Sequence, residues 1–135
     1  MALIQWDSSF SVNVRELDDQ HGALIKLINE LHDAMQAGKA KDLLNKIIVE
    51  LVNYTVNHFS TEEKYFAQFG YTETETHIAE HKKFIDEVAS FKKEFDEGRL
   101  GLSIKVMNFL SDWLRNHIKG TDKKYGPFFN MKGLT

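Results

Sequence analysis

Six histidines, His21, His32, His58, His77, His81 and His117, carry most of the chemistry open to this sequence. His77-x-x-x-His81 sets two imidazoles on one helix face, one turn and ~6 Å apart along the axis. His58-x-x-x-Glu62 sets a carboxylate one turn from an imidazole in the same way. Neutral imidazoles with carboxylates make a nitrogen–oxygen donor set that suits iron, zinc or manganese. Taken singly these signals are weak. A lone core-facing histidine is usually a hydrogen-bonded core residue, and a lone His-x-x-x-Glu is usually a surface pair.

The elements that carry these residues decide whether they meet. The chain has one proline, Pro127. A sequence so free of helix breakers reads as mostly helical. Residues 1–17 lack a helical period and read as an extended arm. Asp18 is a candidate N-cap for a helix over about 18–37, with Leu24, Ile25, Ile28 and Leu31 on one face. Gly38 ends it. A second helix covers about 41–66, and the Phe69-Gly70-Tyr71 stretch breaks the pattern. Thr72 and Glu75 have capping-box spacing and open a third helix over about 72–97. Gly98 and Gly101 bracket the next turn. A fourth helix covers about 102–119, and Gly126-Pro127 closes off any continuation, leaving a C-terminal tail over 120–135. Four amphipathic helices on short turns predict an all-α, up-down-up-down antiparallel four-helix bundle, one domain over 1–135.

In such a bundle the start of helix one, the end of helix two, the start of helix three and the end of helix four share one end. His21, His58, His77, His81 and His117 all fall there, on core-facing positions. Glu62 joins them from helix two. Asp122 follows His117 by five residues, which in a regular helix turns it about 140° away. The helix must therefore end, or widen locally near Gly120, for Asp122 to point inward. So many polar groups at one end of a core are destabilising without a partner, and a metal site is the reading that satisfies them. Seven ligands exceed one ion and fit two. Glu62 and Asp122 are the natural bridges, because a carboxylate has two oxygens. His32 stands apart, ~16 Å further along the axis from His21, and reads as a structural residue at the other end.

Composition narrows the alternatives. The chain has 135 residues and a formal net charge of −3, which argues against nucleic acid as a partner. It has no cysteine, which excludes disulfides, thiolate metal sites, iron–sulfur clusters and cysteine nucleophiles. Its most apolar stretch, 43–52, is broken by Asn45, Lys46 and Glu50 and falls short of the ~20 residues that span a bilayer. A cytoplasmic protein without membrane insertion is the expectation.

The sequence resembles a single-domain bacterial hemerythrin over nearly its whole length. The resemblance rests on Trp6, the Asp18-Asp19-Gln20-His21 run, His58-x-x-x-Glu62, His77-x-x-x-His81, and Trp113-Leu114-Arg115-Asn116-His117 followed by Asp122. It implies a non-haem centre of two iron ions (Fe2+/Fe3+) with an oxo or hydroxo bridge and no haem. His77, His81 and His117 would serve one iron, His21 and His58 the other, and Glu62 and Asp122 would bridge. It further implies that dioxygen binds reversibly at the position the second iron leaves open, and that Leu24, Phe59, Trp113, Leu114 and Ile118 line the oxygen pocket.

The function expected on this basis is reversible dioxygen binding for storage, transport or delivery, by a monomer that hands dioxygen to an oxygen-consuming enzyme and performs no catalysis itself. Three other classes compete: an oxygen or redox sensor signalling to a partner, a di-iron enzyme with peroxide or nitric oxide chemistry, and a zinc-stabilised bundle. The donor set favours binding over turnover. Oxidative di-iron bundles are rich in carboxylates and Glu-x-x-His pairs, whereas this set has five histidines and two acids.

Overall fold

Apolar residues recur at three- and four-residue spacing through four stretches of the chain, and each stretch becomes a helical rod. The computed structural model describes residues 4–135. The first rod is α1 (Arg15–Gln36). The second is α2 (Ala40–Tyr54), a π-helical segment Thr55–Phe59, and α3 (Ser60–Phe69). The third is α4 (Thr74–Asp96). The fourth is α5 (Leu102–Trp113) continued by a π-helical segment Leu114–Thr121, a 3-10 turn Asp122–Lys124, and α6 (Tyr125–Met131). Among the described residues there is no strand, and no helix is long and apolar enough to cross a membrane.

The rods form a closed ring: α1 packs on α2 and α5, and α4 packs on α2 and α5. Leu24, Ile28 and Leu31 of α1 interlock with Ile47, Ile48 and Leu51 of α2, Phe84 and Phe91 of α4, and Val106 and Leu110 of α5. Each such side chain, fully withdrawn from water, contributes about 1.5–3 kcal/mol. A second, smaller cluster closes the opposite end from the α2–α5 core: Val12, Val14 and Leu17 meet Phe66, Tyr71, Tyr125 and Phe129. The histidines lie between the two clusters.

The element boundaries differ from the sequence expectation in four places. First, α1 begins at Arg15, and Asp18 does not cap it. The Asp18 carboxylate is used on the arm instead, accepting from Val12 N at 2.8 Å and Ser11 Oγ at 2.6 Å. Second, the arm is not simply extended, since it contains a 3-10 turn over Ser8–Phe10. Its first three residues lie outside the described region. Third, the Thr72–Glu75 capping box does not form. Tyr71 is drawn into the second cluster, α4 starts at Thr74, and the Thr74 hydroxyl donates to Tyr71 O at 2.6 Å. The second rod also runs on to Phe69 before Gly70 turns the chain at φ 71. Fourth, the tail 120–135 is largely helical. Gly126 and Pro127 sit in the first turn of α6, where backbone N–H groups have no intrahelical acceptor, so proline costs nothing there. The glycine is required for a different reason, because a Cβ at Gly126 would lie 2.7 Å from Val12 O.

Candidate metal centre

Each rod contributes donors from its inward face. His21 lies early in α1. His58 lies in the first π-helical segment, with Glu62 one turn later in α3. His77 and His81 occupy successive turns at the start of α4. His117 lies in the second π-helical segment, and Asp122 follows directly after it. All seven side chains are 1% exposed or less. The second π-helical segment settles how Asp122 turns inward. Asp122 N donates to His117 O, an i to i+5 bond, and this wider turn brings residues five apart onto one face. Local widening, rather than termination of the helix, is the device used.

The distances describe one polar centre. Asp122 Oδ1 is 2.8 Å from His77 Nε2 and 2.9 Å from His117 Nε2, and its Oδ2 is 3.0 Å from His21 Nε2. Glu62 Oε1 is 2.9 Å from His81 Nε2, 3.4 Å from His58 Nε2 and 3.6 Å from His77 Nε2. Several of these separations are those of hydrogen bonds, but the angles are not. All five Nε2 atoms, Glu62 Oε1 and both Asp122 oxygens are buried without a hydrogen-bond partner. Each unpartnered group costs about 1–3 kcal/mol. Donor atoms that crowd together without bonding each other point their lone pairs at common spaces between them.

Two such spaces are defined. Glu62, His77, His81 and His117 surround one; His21, His58, Glu62 and Asp122 surround the other, with donor atoms in each set within 4.8 Å of one another. Glu62 belongs to both, and Asp122 presents one oxygen to His77 and His117 and the other to His21. Imidazole nitrogens and carboxylate oxygens in this number fit two first-row cations.

The charges agree. Burial pushes the imidazoles of His77 and His21 down, but the carboxylates facing them outweigh it: His77 is raised to about 9 by Asp122 and Glu62, and His21 is raised chiefly by Asp122. At His58 burial wins, and its imidazole is lowered to about 4. Burial pushes Glu62 and Asp122 up, and Asp122 pushes Glu62 up further, yet the surrounding histidines bring both below the usual carboxylate range. The centre thus holds two ionised carboxylates, the state in which a carboxylate ligates metal, and His77 must release its proton when a cation takes the place of the carboxylates as its partner.

Outer hydrogen bonds set the ring orientations. The Thr61 hydroxyl donates to Asn57 O at 2.7 Å, so its oxygen accepts from Gln20 Nε2 at 3.2 Å. This leaves Gln20 Oε1 facing His58 Nδ1 at 2.6 Å. His58 therefore carries its proton on Nδ1 and turns a bare Nε2 inward. Glu63 Oε2 faces His81 Nδ1 at 3.0 Å and Glu80 Oε1 faces His117 Nδ1 at 3.0 Å, with the same consequence. Aromatic faces hold the rings. Phe59 stacks on His81 with centroids 3.8 Å apart, Trp113 stacks on His117 at 3.8 Å, and Tyr54 stacks on His58 at 5.0 Å.

Of the residues expected from sequence, all seven donors meet here. Leu24, Phe59, Trp113, Leu114 and Ile118 are buried in one continuous apolar cluster. His32 is half-buried in α1, outside both donor sets, and pairs with Gln36 at 3.2 Å. Sequence reasoning missed Gln20, Glu63 and Glu80. A pattern was available: each is the neighbour of a donor in the chain, and each supports a histidine on a different rod. It also missed Tyr54, whose buried hydroxyl has no partner and is kept protonated by burial and by Glu62 and Asp122. Tyr125, whose hydroxyl donates to Glu62 Oε2, was left without a role.

A family model described as the hemerythrin HHE cation binding domain matches residues 12–129. A bacteriohemerythrin of Methylococcus capsulatus is 37% identical over 128 residues, spanning 94% of this chain and 97% of that protein. A hemerythrin-like protein of Naegleria gruberi is 35% identical over 120 residues, spanning 89% of this chain and 88% of the other. A crystal structure of wild-type hemerythrin superimposes with a TM-score of 0.84 at 36% identity, covering 93% of this chain and 97% of that one. With its fold, its buried histidine–carboxylate centre and these matches over most of its length, the chain belongs to the hemerythrin family of cation-binding domains.

Proposed function

We propose that this protein binds dioxygen reversibly at a non-haem di-iron centre, for oxygen storage, transport or delivery, without catalytic turnover. The observation that carries the proposal is the inequality of the two donor sets around Glu62: three imidazoles surround one space and two the other. His77, His81 and His117 would hold one iron, His21 and His58 the second, and Glu62 and Asp122 would bridge them. The iron pair, when bound, supplies the two electrons of reversible dioxygen capture, at a coordination position that the two-histidine set leaves free.

The chain's own residues govern reversibility. Leu24, Phe59, Trp113, Leu114 and Ile118 form an apolar wall against the histidines and exclude water, which slows proton-driven loss of the reduced state. Tyr54 holds its proton beside His58. The balance of five imidazoles to two carboxylates supports binding rather than oxidation of substrates, for which carboxylate-rich sets are the usual choice.

Metal analysis of the purified chain, with visible spectra taken reduced, then in air, then after degassing, tests the proposal. The expected result is two irons per chain and a charge-transfer band that appears in air and fades on degassing. Zinc in place of iron, or a band that never reverses, overturns it. Continuous oxygen consumption under reductant assigns the centre to an enzyme.

A further inference from the structure

The partners behind the histidines divide the centre into unlike halves. In the three-histidine half, two of the rings are backed by carboxylates: Glu63 behind His81 and Glu80 behind His117. In the two-histidine half, the one ring with an outer partner is backed by a neutral amide, Gln20 behind His58. His77 and His21 each have a buried Nδ1 with no partner, so they do not disturb the contrast. The carboxylate about one turn before His21 in α1 is Asp18, and its two oxygens are engaged by Val12 N and Ser11 Oγ of the arm.

Two of the backing groups are themselves held in place. Thr121 Oγ1 donates to both oxygens of Glu80, at 3.0 and 3.2 Å. Gln20 is held by Thr61, which fixes the amide with its oxygen toward the ring. A carboxylate at Nδ1 draws the ring proton toward itself and leaves more electron density at Nε2, while an amide oxygen does so far less. It also places a negative charge one ring-width from the metal position. Both effects strengthen cation binding, and loss of such a partner typically weakens it by about 10–100-fold.

We propose that Glu63 and Glu80, set against the neutral Gln20, are positioning residues that grade the centre by charge. The three-histidine half takes the first and more tightly held cation; the two-histidine half takes the second, more weakly held one and keeps it electron-poor and open to an added ligand. The inference rests on the two-metal reading above and adds an order of filling and the residues that impose it.

Titration of the metal-free full-length chain with Co2+ under argon tests it, followed by visible absorption and calorimetry. Three variants keep an oxygen facing each ring and change charge alone: Glu80→Gln, Glu63→Gln and Gln20→Glu. In the last, the Thr61 hydroxyl can rotate to donate to the new carboxylate. Wild type should bind two Co2+ in separate steps. Glu80→Gln and Glu63→Gln should each weaken the first step by about 10-fold and spare the second. Gln20→Glu should tighten the second step by a similar factor and narrow the gap.

The opposite signs separate charge from shape. If these residues served only to hold the rings, every variant would bind more weakly, and weaker binding by Gln20→Glu overturns the inference. So does an effect of Glu80→Gln confined to the second step. Circular dichroism of each metal-free variant identifies one that fails to fold, and Glu63→Gln and Glu80→Gln serve as replacements for each other. Wild type that binds a single Co2+ overturns the two-metal reading itself; two Co2+ bound with no response to the variants overturns only the grading by charge.

Discussion

Tyr125 donates its phenolic proton to Oε2 of Glu62, joining the short C-terminal helix α6 to the carboxylate shared by both donor sets across 63 residues of sequence. Tyr125 is fully buried, and burial together with Asp122 and Glu62 pushes its hydroxyl well above its ordinary value. It is therefore a permanent donor, and it leaves Oε1 of Glu62 to face the histidines.

Removing that donor should destabilise the metal-free chain. In Tyr125→Phe the ring still fills its place against Phe66 and Phe129, but Glu62 Oε2 is left buried and unpaired. A loss of about 1–3 kcal/mol is expected, read by denaturant unfolding without metal. Unchanged stability would show that the bond contributes nothing net.

Gly126 marks the closest approach of α6 to the arm. Gly126→Ala places a methyl 2.7 Å from Val12 O, a backbone atom that cannot rotate away. The arm or α6 must shift, at a cost of about 1–3 kcal/mol. Amide exchange at Val12 and Val14 should speed up in the variant, and exchange in the α2–α5 core should not. A rate in the arm equal to wild type contradicts the packing described.

His58→Ala should remove the cation of the two-histidine half and abolish oxygen binding. Iron per chain should fall from two toward one, with loss of the oxygenated spectrum. His32→Gln is the control, since His32 pairs only with Gln36 near the far end of α1, and its iron content should match wild type. An unchanged His58→Ala, or a His32→Gln that loses iron, defeats the assignment.

Leu114 is 4% exposed and belongs to the same apolar cluster as Leu24, Phe59, Trp113 and Ile118. Leu114→Ala should cost about 2–5 kcal/mol of stability through the cavity left behind. It should also admit water and speed oxidation of the reduced centre in air. An oxygenated form as long-lived as wild type would remove the wall from the account of reversibility.

The metal-free chain should be most stable near pH 6.5 and lose stability on both sides. His58 sits at about 4 in the folded chain against 6.5 unfolded, so the unfolded chain binds its proton more readily. That contribution is complete above pH 6.5 and is lost as pH falls through 4. His77 sits at about 9 against 6.5, so the folded chain binds its proton more readily. That contribution is complete below pH 6.5 and is lost as pH rises through 9. Denaturant unfolding at pH 4.5, 6.5 and 9 should trace this dome, each limb amounting to a few kcal/mol. In His58→Ala the acid limb should flatten. A profile that climbs steadily with pH contradicts the charges assigned to the centre.

The donor set was legible because helix periodicity is a local property. His77 and His81 share a face by spacing alone, and antiparallel topology then carries His21, His58 and His117 to the same end. The boundaries were less legible, since side chains found other partners: Asp18 read as a cap and serves the arm, and Gly126-Pro127 read as a stop and begins a helix. Gln20, Glu63 and Glu80 carry no periodic signal, because each acts on a ring of another rod.

By itself the sequence determined that four amphipathic helices form and that five histidines and Glu62 point into one end of their bundle, because apolar spacing dictates which face is buried. Only the tertiary structure decided that a π-helical turn brings Asp122 round to His117, that Tyr125 closes over Glu62, and which ring each outer carboxylate or amide supports. Those outcomes depend on distances between segments far apart in the chain, and such distances exist only once the rods have packed.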